Sequence, residues 1–150
     1  MMRKKDGFSL FELLVVLAII AVISTIAAPH VLSWRSSAKL RGAADNVRGD
    51  LQMSKARAVR ERAPVTVTFT ATNYRVTFTD KDGNDRILRA RQLPAGVRVD
   101  LAGTSFGSMG DETQFNGRGL PVANGSAVLV NTKGEQKTII VSRLGRIRIQ

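Results

Sequence analysis

The sequence predicts an α+β protein, in which one long N-terminal helix precedes a run of short antiparallel strands. A change of hydrophobic period along the 150-residue chain carries this prediction. Up to about Arg62 the apolar residues recur at helical spacing, and Pro64 bars the helix from continuing. After Pro64 apolar and polar residues alternate, with turn residues between the runs. The chain beyond the helix has room for one small domain with a modest core.

The N-terminal part combines a short basic leader with a long apolar run. The leader, residues 1–7, ends at Gly7, and the apolar run of residues 8–28 holds a single charge, Glu12. About 20 apolar residues suffice to span a bilayer as a helix, and no small-x-small cleavage site follows them as in a secretory signal peptide. The positive leader keeps the N-terminus cytoplasmic. We predict one membrane span over residues 8–28 that sends residues 29–150 across the membrane.

The helix is predicted to continue beyond the span, with a kink at Pro29. From Ser36 to about Arg62 the pattern is amphipathic, with basic residues mostly between apolar ones. The apolar residues at helical spacing are Leu40, Ala44, Val47, Leu51, Ala58 and Val59. We expect this face to pack on the sheet.

The C-terminal two thirds alternate in the manner of short strands separated by glycine-containing turns. The predicted strands cover residues 65–69, 74–79, 86–93, 97–101, 127–131, 137–142 and 146–150, with residues 113–115 as a further extended segment. Turns are predicted at Asp82-Gly83-Asn84, Lys133-Gly134-Glu135 and Leu144-Gly145. The alternation leaves the order of the strands open.

Little in the composition supports catalysis or metal binding. The chain has no cysteine and one histidine, His30, at the predicted membrane edge, so no base stands ready to activate a nucleophile. Asp111 and Glu112 are adjacent in a polar segment, and their carboxylates point apart. Residues 80–85 offer several oxygen ligands, but their glycine is out of register with an EF-hand loop, and a hairpin turn explains them better. We expect no enzyme activity, no cofactor and no metal.

The last strand carries the clearest binding signal of a chain whose formal net charge is +11, which suggests a polyanionic partner or acidic neighbours. In Arg146-Ile147-Arg148-Ile149, strand alternation points both arginines to one face and both isoleucines to the core. The arginines are separated by about 6.6 Å along a strand, close to two axial steps of about 3.4 Å on one DNA strand. Bidentate guanidinium–phosphate contacts fit this spacing. An edge strand whose charges block further pairing fits it equally well.

Several segments resemble known families. The basic leader, Gly7, Phe8 and Glu12 look like the signature of the type IV pilin superfamily. Residues 56–60 before Pro64-Val65, residues 113–119 and residues 145–149 look like the GspH/FimT family of minor pilins and pseudopilins, so the likeness runs over nearly the whole chain. Within that family, Gly145-Arg146-x-Arg148 matches the GRxR motif of FimT-type pilins, which bind DNA during natural transformation.

The pilin resemblance implies a type IV pilin-like fold, in which the long kinked helix packs on an antiparallel sheet. It implies that a prepilin peptidase cleaves between Gly7 and Phe8 and methylates the new amine of Phe8. Glu12 would then answer the amine of a neighbouring pilin subunit in the filament. The precursor would be held in the inner membrane with its C-terminal domain in the periplasm, and would reach a cell-surface pilus after assembly.

For function, the resemblance favours a FimT-type minor pilin that binds DNA without sequence preference and supports competence. The primary phosphate contacts would be Arg143, Arg146 and Arg148, surrounded by Lys133, Lys137 and Arg118. The alternative is an H-type minor pseudopilin of a type II secretion system, with a structural role and no nucleic-acid partner. A third interpretation is an assembly-initiating subunit whose basic surface docks acidic minor pilins. A Gly-Arg start to the last strand also occurs in H-type pseudopilins, so Arg148 and the basic cluster discriminate better.

Overall fold

The structure, a computed structural model, describes residues 9–80 and 82–150, except for the side chains of residues 26–33. Helix α1 spans Leu10–Glu61. The strands that follow it are β1 (Val65–Phe69), β2 (Asn73–Thr79), β3 (Asp85–Gln92), β4 (Val97–Val99), β5 (Glu112–Phe115), β6 (Gly125–Asn131), β7 (Gln136–Val141) and β8 (Ile147–Ile149). A short 3-10 helix at Gly107–Met109 precedes β5. The predicted α+β class, with a helix on antiparallel strands, is confirmed.

The first of two compact units ends at Arg35, and its described part is the N-terminal half of α1. Ser9 caps this helix, because its Oγ accepts the amide N–H of Glu12 at 3.1 Å. The large apolar side chains between Leu10 and Ile23 are exposed along the segment. Among the residues that the structure describes, no helix is both long enough and apolar enough to traverse a bilayer.

Several N-terminal predictions fall outside the described residues. Gly7 and Phe8, the predicted cleavage site, lie there, as do the side chains of residues 26–28 at the end of the predicted span. The backbone is helical through Pro29, and the kink at this residue stays a prediction.

The second unit, Ser36–Gln150, contains two four-stranded antiparallel sheets. Sheet A has the order β3-β2-β1-β5, and sheet B has the order β4-β6-β7-β8. The predicted packing of the helix on antiparallel strands is confirmed, and the strand order, which the sequence leaves open, divides the strands between two sheets. Alternation shows which residues form strands, but the division arises because β5 returns to pair with β1 while β4 pairs with β6. These pairings join distant segments, which local periodicity does not specify.

The core of the second unit lies between one face of α1 and the inner faces of the sheets. Its helical residues include Leu40, Ala44, Val47, Leu51 and Ala58, each at most 2% exposed, as the spacing predicted. Val59 is 47% exposed, against the prediction. One residue turns the helix by about 100°, so the side chain of Val59 lies about 100° around the helix from the buried Ala58, at the border of the core-facing stripe. The strands contribute alternate residues, among them Val65, Val67, Tyr74, Val76, Leu129 and Ile139.

Four tight turns in the described chain share one design. In each, the backbone carbonyl of the first residue accepts the N–H of a glycine three residues later. The first residues are Asp80, Asn116, Asn131 and Ser142, and the glycines are Gly83, Gly119, Gly134 and Gly145. Oδ1 of Asp80 also accepts the amide N–H groups of Asp82 and Asn84, both at 3.0 Å. The predicted hairpin interpretation of residues 80–85 is thereby confirmed.

Candidate nucleic-acid interface

Strand β8 is an edge strand of sheet B, and both Arg148 in the strand and Arg146 just before it are exposed. Ile147 pairs with Val141 and is buried, whereas Arg148 pairs with Ile140 and is exposed. The predicted alternation of isoleucines inside and arginines outside is therefore confirmed.

The turn that leads into β8 is fixed by close contacts at Gly145. This residue has a φ of 70°, a left-handed conformation that a side chain disfavours. A Cβ atom at Gly145 would also lie 2.8 Å from the carbonyl oxygen of Gly119. From the other side, Nζ of Lys55 donates to the Gly145 carbonyl at 3.0 Å. The position of Arg146 is thus set by a glycine and by a lysine of α1.

The turn at Asn116–Leu120 packs against both Gly145 and the end of α1. A Cβ atom at Gly117 would lie 2.8 Å from the carbonyl carbon of Arg62, so only glycine allows this approach. Arg118 is exposed between Gly117 and Gly119, the two glycines that make these contacts. Two segments that are distant in sequence, residues 116–120 and 142–148, therefore form one end of the second unit. The structure brings Arg118 to the same end as Arg146.

The exposed arginines at this end are not neutralised by acidic side chains. Arg143 donates from Nε to Oδ1 of Asn124 at 3.3 Å, a neutral partner. Within residues 9–80 and 82–150, no carboxylate oxygen lies within 4.0 Å of a side-chain nitrogen of Arg118, Arg143, Arg146 or Arg148. We call these four residues the arginine cluster. Their unopposed charge makes this end of the unit strongly positive.

The two lysines of the predicted surround lie elsewhere. Lys133 is in the β6–β7 turn, at the opposite end of β7 from the turn at Ser142. The six residues of β7 span about 20 Å at 3.4 Å per residue. Lys137 pairs with the buried Leu129 and lies two residues before the buried Ile139. Its side chain therefore leaves the strand on the same face of the sheet as these core residues. Neither lysine therefore joins the arginine cluster.

The structure adds two basic residues that the sequence did not single out for the site, Lys55 of α1 and Arg62 directly after its end. Arg62 borders an open groove of about 700 Å³, whose other walls include Val59, Arg118 and Leu120. Lys55 borders a neighbouring groove of about 550 Å³ together with Arg146. The sequence places Arg62 at the end of the predicted helix, but its approach to Gly117 is a tertiary contact that the sequence does not signal.

A second charged cluster connects α1 to sheet A. Asp50 is 5% exposed, and its Oδ1 accepts from Nη1 of Arg89 at 2.9 Å. Its Oδ2 accepts from Nε of Arg91 at 3.1 Å and from the hydroxyl of Tyr74 at 2.6 Å. Burial raises the pKa of Tyr74 well above its usual range, and the hydrogen bond to Asp50 and the charge of this carboxylate raise it further. Both oxygens of Asp50 are engaged, so this cluster stabilises the fold and offers no open binding site.

The helix and the antiparallel strands define a type IV pilin-like fold, and solved structures of this class superimpose on the chain. The minor pseudopilin EpsH of the Vibrio cholerae type 2 secretion system matches with a TM-score of 0.63 at 11% identity, covering 75% of this chain and 96% of that chain. The type IV minor pilin FimU of Pseudomonas aeruginosa matches at 0.59 and 17%, covering 78% and 92%. GspH of E. coli matches at 0.60 and 15%, covering 75% and 88%.

Family models identify the chain more closely. Residues 2–28 match the prokaryotic N-terminal methylation motif, which confirms the predicted N-terminal signature. Residues 43–145 match the model of the type II transport protein GspH. The protein therefore belongs to the GspH family. No curated protein matches the sequence.

Proposed function

We propose that this protein is a minor pilin that binds DNA without sequence preference through the arginine cluster, in support of natural transformation. The observation that carries the proposal is the contrast in how the chain uses its arginines. Those of β3 at positions 89 and 91 are engaged by a buried carboxylate, whereas the four arginines of the cluster are exposed and have no acidic partner among the residues that the structure describes. A surface of this kind suits a polyanion.

Phosphate is the group that the geometry fits best. Arg146 and Arg148 project from the same face about 6.6 Å apart along the strand, close to two axial steps of about 3.4 Å on one DNA strand, so both can reach phosphates of that strand. In the described part of residues 36–150, every aromatic ring is buried or half-buried. Base stacking, which single-strand binders use, is therefore not offered beside the arginines. Contacts to the DNA backbone would dominate, and such contacts carry no sequence information.

The N-terminal part would serve assembly. In this proposal the prepilin peptidase cleaves after Gly7 and methylates Phe8, and Glu12 pairs with the amine of an adjacent subunit. Residues 8–28 hold the precursor in the inner membrane, with the C-terminal domain in the periplasm, until it enters the pilus. An unpaired carboxylate in apolar surroundings is costly, so the pairing of Glu12 would favour the filament. The protein would act by binding alone, without catalysis or a cofactor.

A second candidate is an H-type minor pseudopilin of a type II secretion system. The description of the matching family model and the superposition on EpsH favour it. In this case the arginine cluster would face acidic neighbouring subunits, and no nucleic acid would bind. The two candidates differ in one measurable property, the affinity for duplex DNA.

The test uses the full chain in a neutral detergent and duplexes of unrelated sequence. For the wild type we expect similar affinities for all duplexes, with log affinity falling linearly as log salt rises, by about 0.9 per phosphate contact. Arg146→Gln combined with Arg148→Gln removes two contacts and should reduce the magnitude of this slope by about 1.8. The fold should persist because Ile147 and its pairing with Val141 are unchanged.

The matched control is Arg75→Gln combined with Arg98→Gln, which removes the same charge from two exposed strand residues outside the cluster. Its slope should remain close to that of the wild type. If the control and the β8 variant reduce the slope equally, only the net charge matters and the site is wrong. A wild-type chain without measurable affinity at low salt would reject DNA binding and favour the secretion pseudopilin.

A further inference from the structure

Arg62 occupies an unusual backbone position at the end of α1. The helix ends in a Schellman motif, in which the N–H of Ala63 bonds to the carbonyl of Ala58 at 3.3 Å and the N–H of Arg62 to that of Val59 at 3.4 Å. The residue at the position of Arg62 in this motif is usually glycine, because its φ is positive. Here φ is 51°, and Arg62 is the one non-glycine residue with a positive φ among those described.

Arg62 has a long side chain at a backbone position where the left-handed conformation favours glycine. L-residues are strained in the left-handed conformation, and Gly117 supplies the space that the Arg62 backbone requires. A cation at a helix C-terminus is favourable, but Arg60 already provides one in the last turn. Strained residues that persist in a structure are candidates for a functional role. The side chain of Arg62 borders the groove that Arg118 also lines.

A chain of backbone contacts connects Arg62 to the last strand. Arg62 contacts Gly117, the next residue is Arg118, and Gly119 then contacts Gly145. Arg146 follows Gly145 directly, and Arg148 lies two residues further along. Arg62 therefore takes part in one of these contacts, and Arg118 and Arg146 each directly follow a glycine that makes one.

We propose that Arg62 is a further phosphate-contacting residue, and that the end of α1, residues 116–119 and residues 145–148 form one composite site for the DNA backbone. The inference rests on the proposed DNA binding and extends it, because it assigns a residue outside the arginine cluster. It also explains why two distant glycine–arginine segments occur in one chain: their glycines let the three pieces meet, and Arg62, Arg118 and Arg146 then line two grooves that share Val59.

The test compares three substitutions of Arg62 in the full chain. Arg62→Gly removes the charge and relieves the backbone, so the melting temperature should not fall. The magnitude of the salt slope of DNA binding should decrease by about 0.9. Arg62→Gln, which leaves the backbone strained, should lower the slope equally, whereas Arg62→Lys should retain it. Arg75→Gln removes one exposed charge outside the site and is the matched control.

The outcomes separate this inference from the proposed function. If Arg62→Gly and Arg62→Gln bind with the slope of the Arg75→Gln control, while the β8 double variant loses two contacts, Arg62 is not part of the site and DNA binding stands. If the β8 double variant also keeps its slope, the proposed function fails and the inference fails with it. A reduced slope for both Gly and Gln but not for Lys is the result we expect.

Discussion

Two Arg-x-Arg pairs lie at sheet edges, one within β3 and one at residues 146–148, where β8 begins, yet the two pairs face opposite ways. Arg89 and Arg91 of β3 pair with Val76 and Tyr74, whose side chains are buried, and both guanidiniums reach Asp50 of α1. The arginines of β8 alternate with inward-facing isoleucines and point outward. The same Arg-x-Arg pattern therefore has two uses. In β3 the arginines themselves face the helix, whereas at β8 the intervening isoleucine faces the core and the arginines face outward.

The residues that α1 presents to each arginine pair differ in charge. Toward sheet A it presents the carboxylate of Asp50, which binds two guanidiniums and fixes an edge strand whose inward charges discourage further pairing. Toward the turn before β8 it presents Lys55, which donates to the backbone carbonyl of Gly145, and within the described part of the chain neither Arg146 nor Arg148 pairs with a carboxylate. Asp50 therefore gives Arg89 and Arg91 a structural role. Lys55 offers no such partner to Arg146 and Arg148, which stay accessible to a ligand.

The largest effect should follow from removing the shared carboxylate. Asp50→Ala leaves two guanidiniums and the hydroxyl of Tyr74 without their partner. Breaking a buried ion pair costs about 3–5 kcal/mol. Since Arg89 and Arg91 are 44% and 36% exposed in their side chains, water compensates in part, and we expect a loss of about 2–3 kcal/mol in the free energy of unfolding. Urea unfolding followed by circular dichroism measures it.

The corresponding change at β8 is the control. Arg146→Gln with Arg148→Gln should alter the free energy of unfolding by no more than about 0.5 kcal/mol, as is usual for surface substitutions. Equal losses in the two variants would show that the outer arginines are also structural, and the contrast between the strands would disappear.

The turns that lead into the two edge strands differ in how closely their glycines are packed. Gly83 before β3 and Gly145 before β8 both have positive φ, at 81° and 70°. A Cβ atom at Gly83 meets nothing within 4 Å, whereas one at Gly145 would lie 2.8 Å from the carbonyl oxygen of Gly119. Gly83→Ala should therefore cost only the left-handed strain, about 1 kcal/mol. Gly145→Ala adds a backbone clash and should cost about 2 kcal/mol or more.

Thermal unfolding of these two variants measures the difference, and DNA binding adds a second measurement. Only Gly145→Ala should also weaken binding, because it displaces the turn that carries Arg146. Similar destabilisation by both substitutions would mean that the contact between Gly145 and Gly119 relaxes readily.

The sequence predicted most of the elements because their signals are local. The long helix, the strands and three of the four tight turns follow from periodicity and from glycine placement. The division into two sheets could not be predicted, since it depends on β5 returning to β1 across more than 40 residues. Val59 was misplaced because a pattern of near-helical spacing does not specify which of two adjacent residues faces the core.

The candidate site was predicted only in part, because some of its residues have local sequence signals and others depend on tertiary contacts. Arg146 and Arg148 follow from strand alternation, which needs only four residues of sequence. The separation of Lys133 and Lys137 from them depends on the β6–β7 register, and the contribution of Arg62 depends on the approach of Gly117. Asp50 gave a weak signal, an acid within the apolar face of α1, but its partners on β3 are about 40 residues away.

A modest effect is expected from the hydroxyl of Tyr74, which donates to Asp50 at 2.6 Å. Tyr74→Phe removes one hydrogen bond to a carboxylate that keeps two guanidiniums, so it should cost about 1 kcal/mol near neutral pH.

Burial, then the hydrogen bond and the charge of Asp50, raise the pKa of Tyr74 in the folded state. An unfolded tyrosine titrates near pH 10, so the folded state retains this proton at pH values where the unfolded state has lost it. The stabilisation is therefore complete below about pH 10 and is lost as the pH rises above it. Because Tyr74 is the one tyrosine of the chain, the Phe variant removes tyrosine titration altogether. The free energy of unfolding should fall more steeply for the wild type than for the variant above about pH 10. Parallel curves would show that the Asp50 cluster holds β3 through its arginines alone.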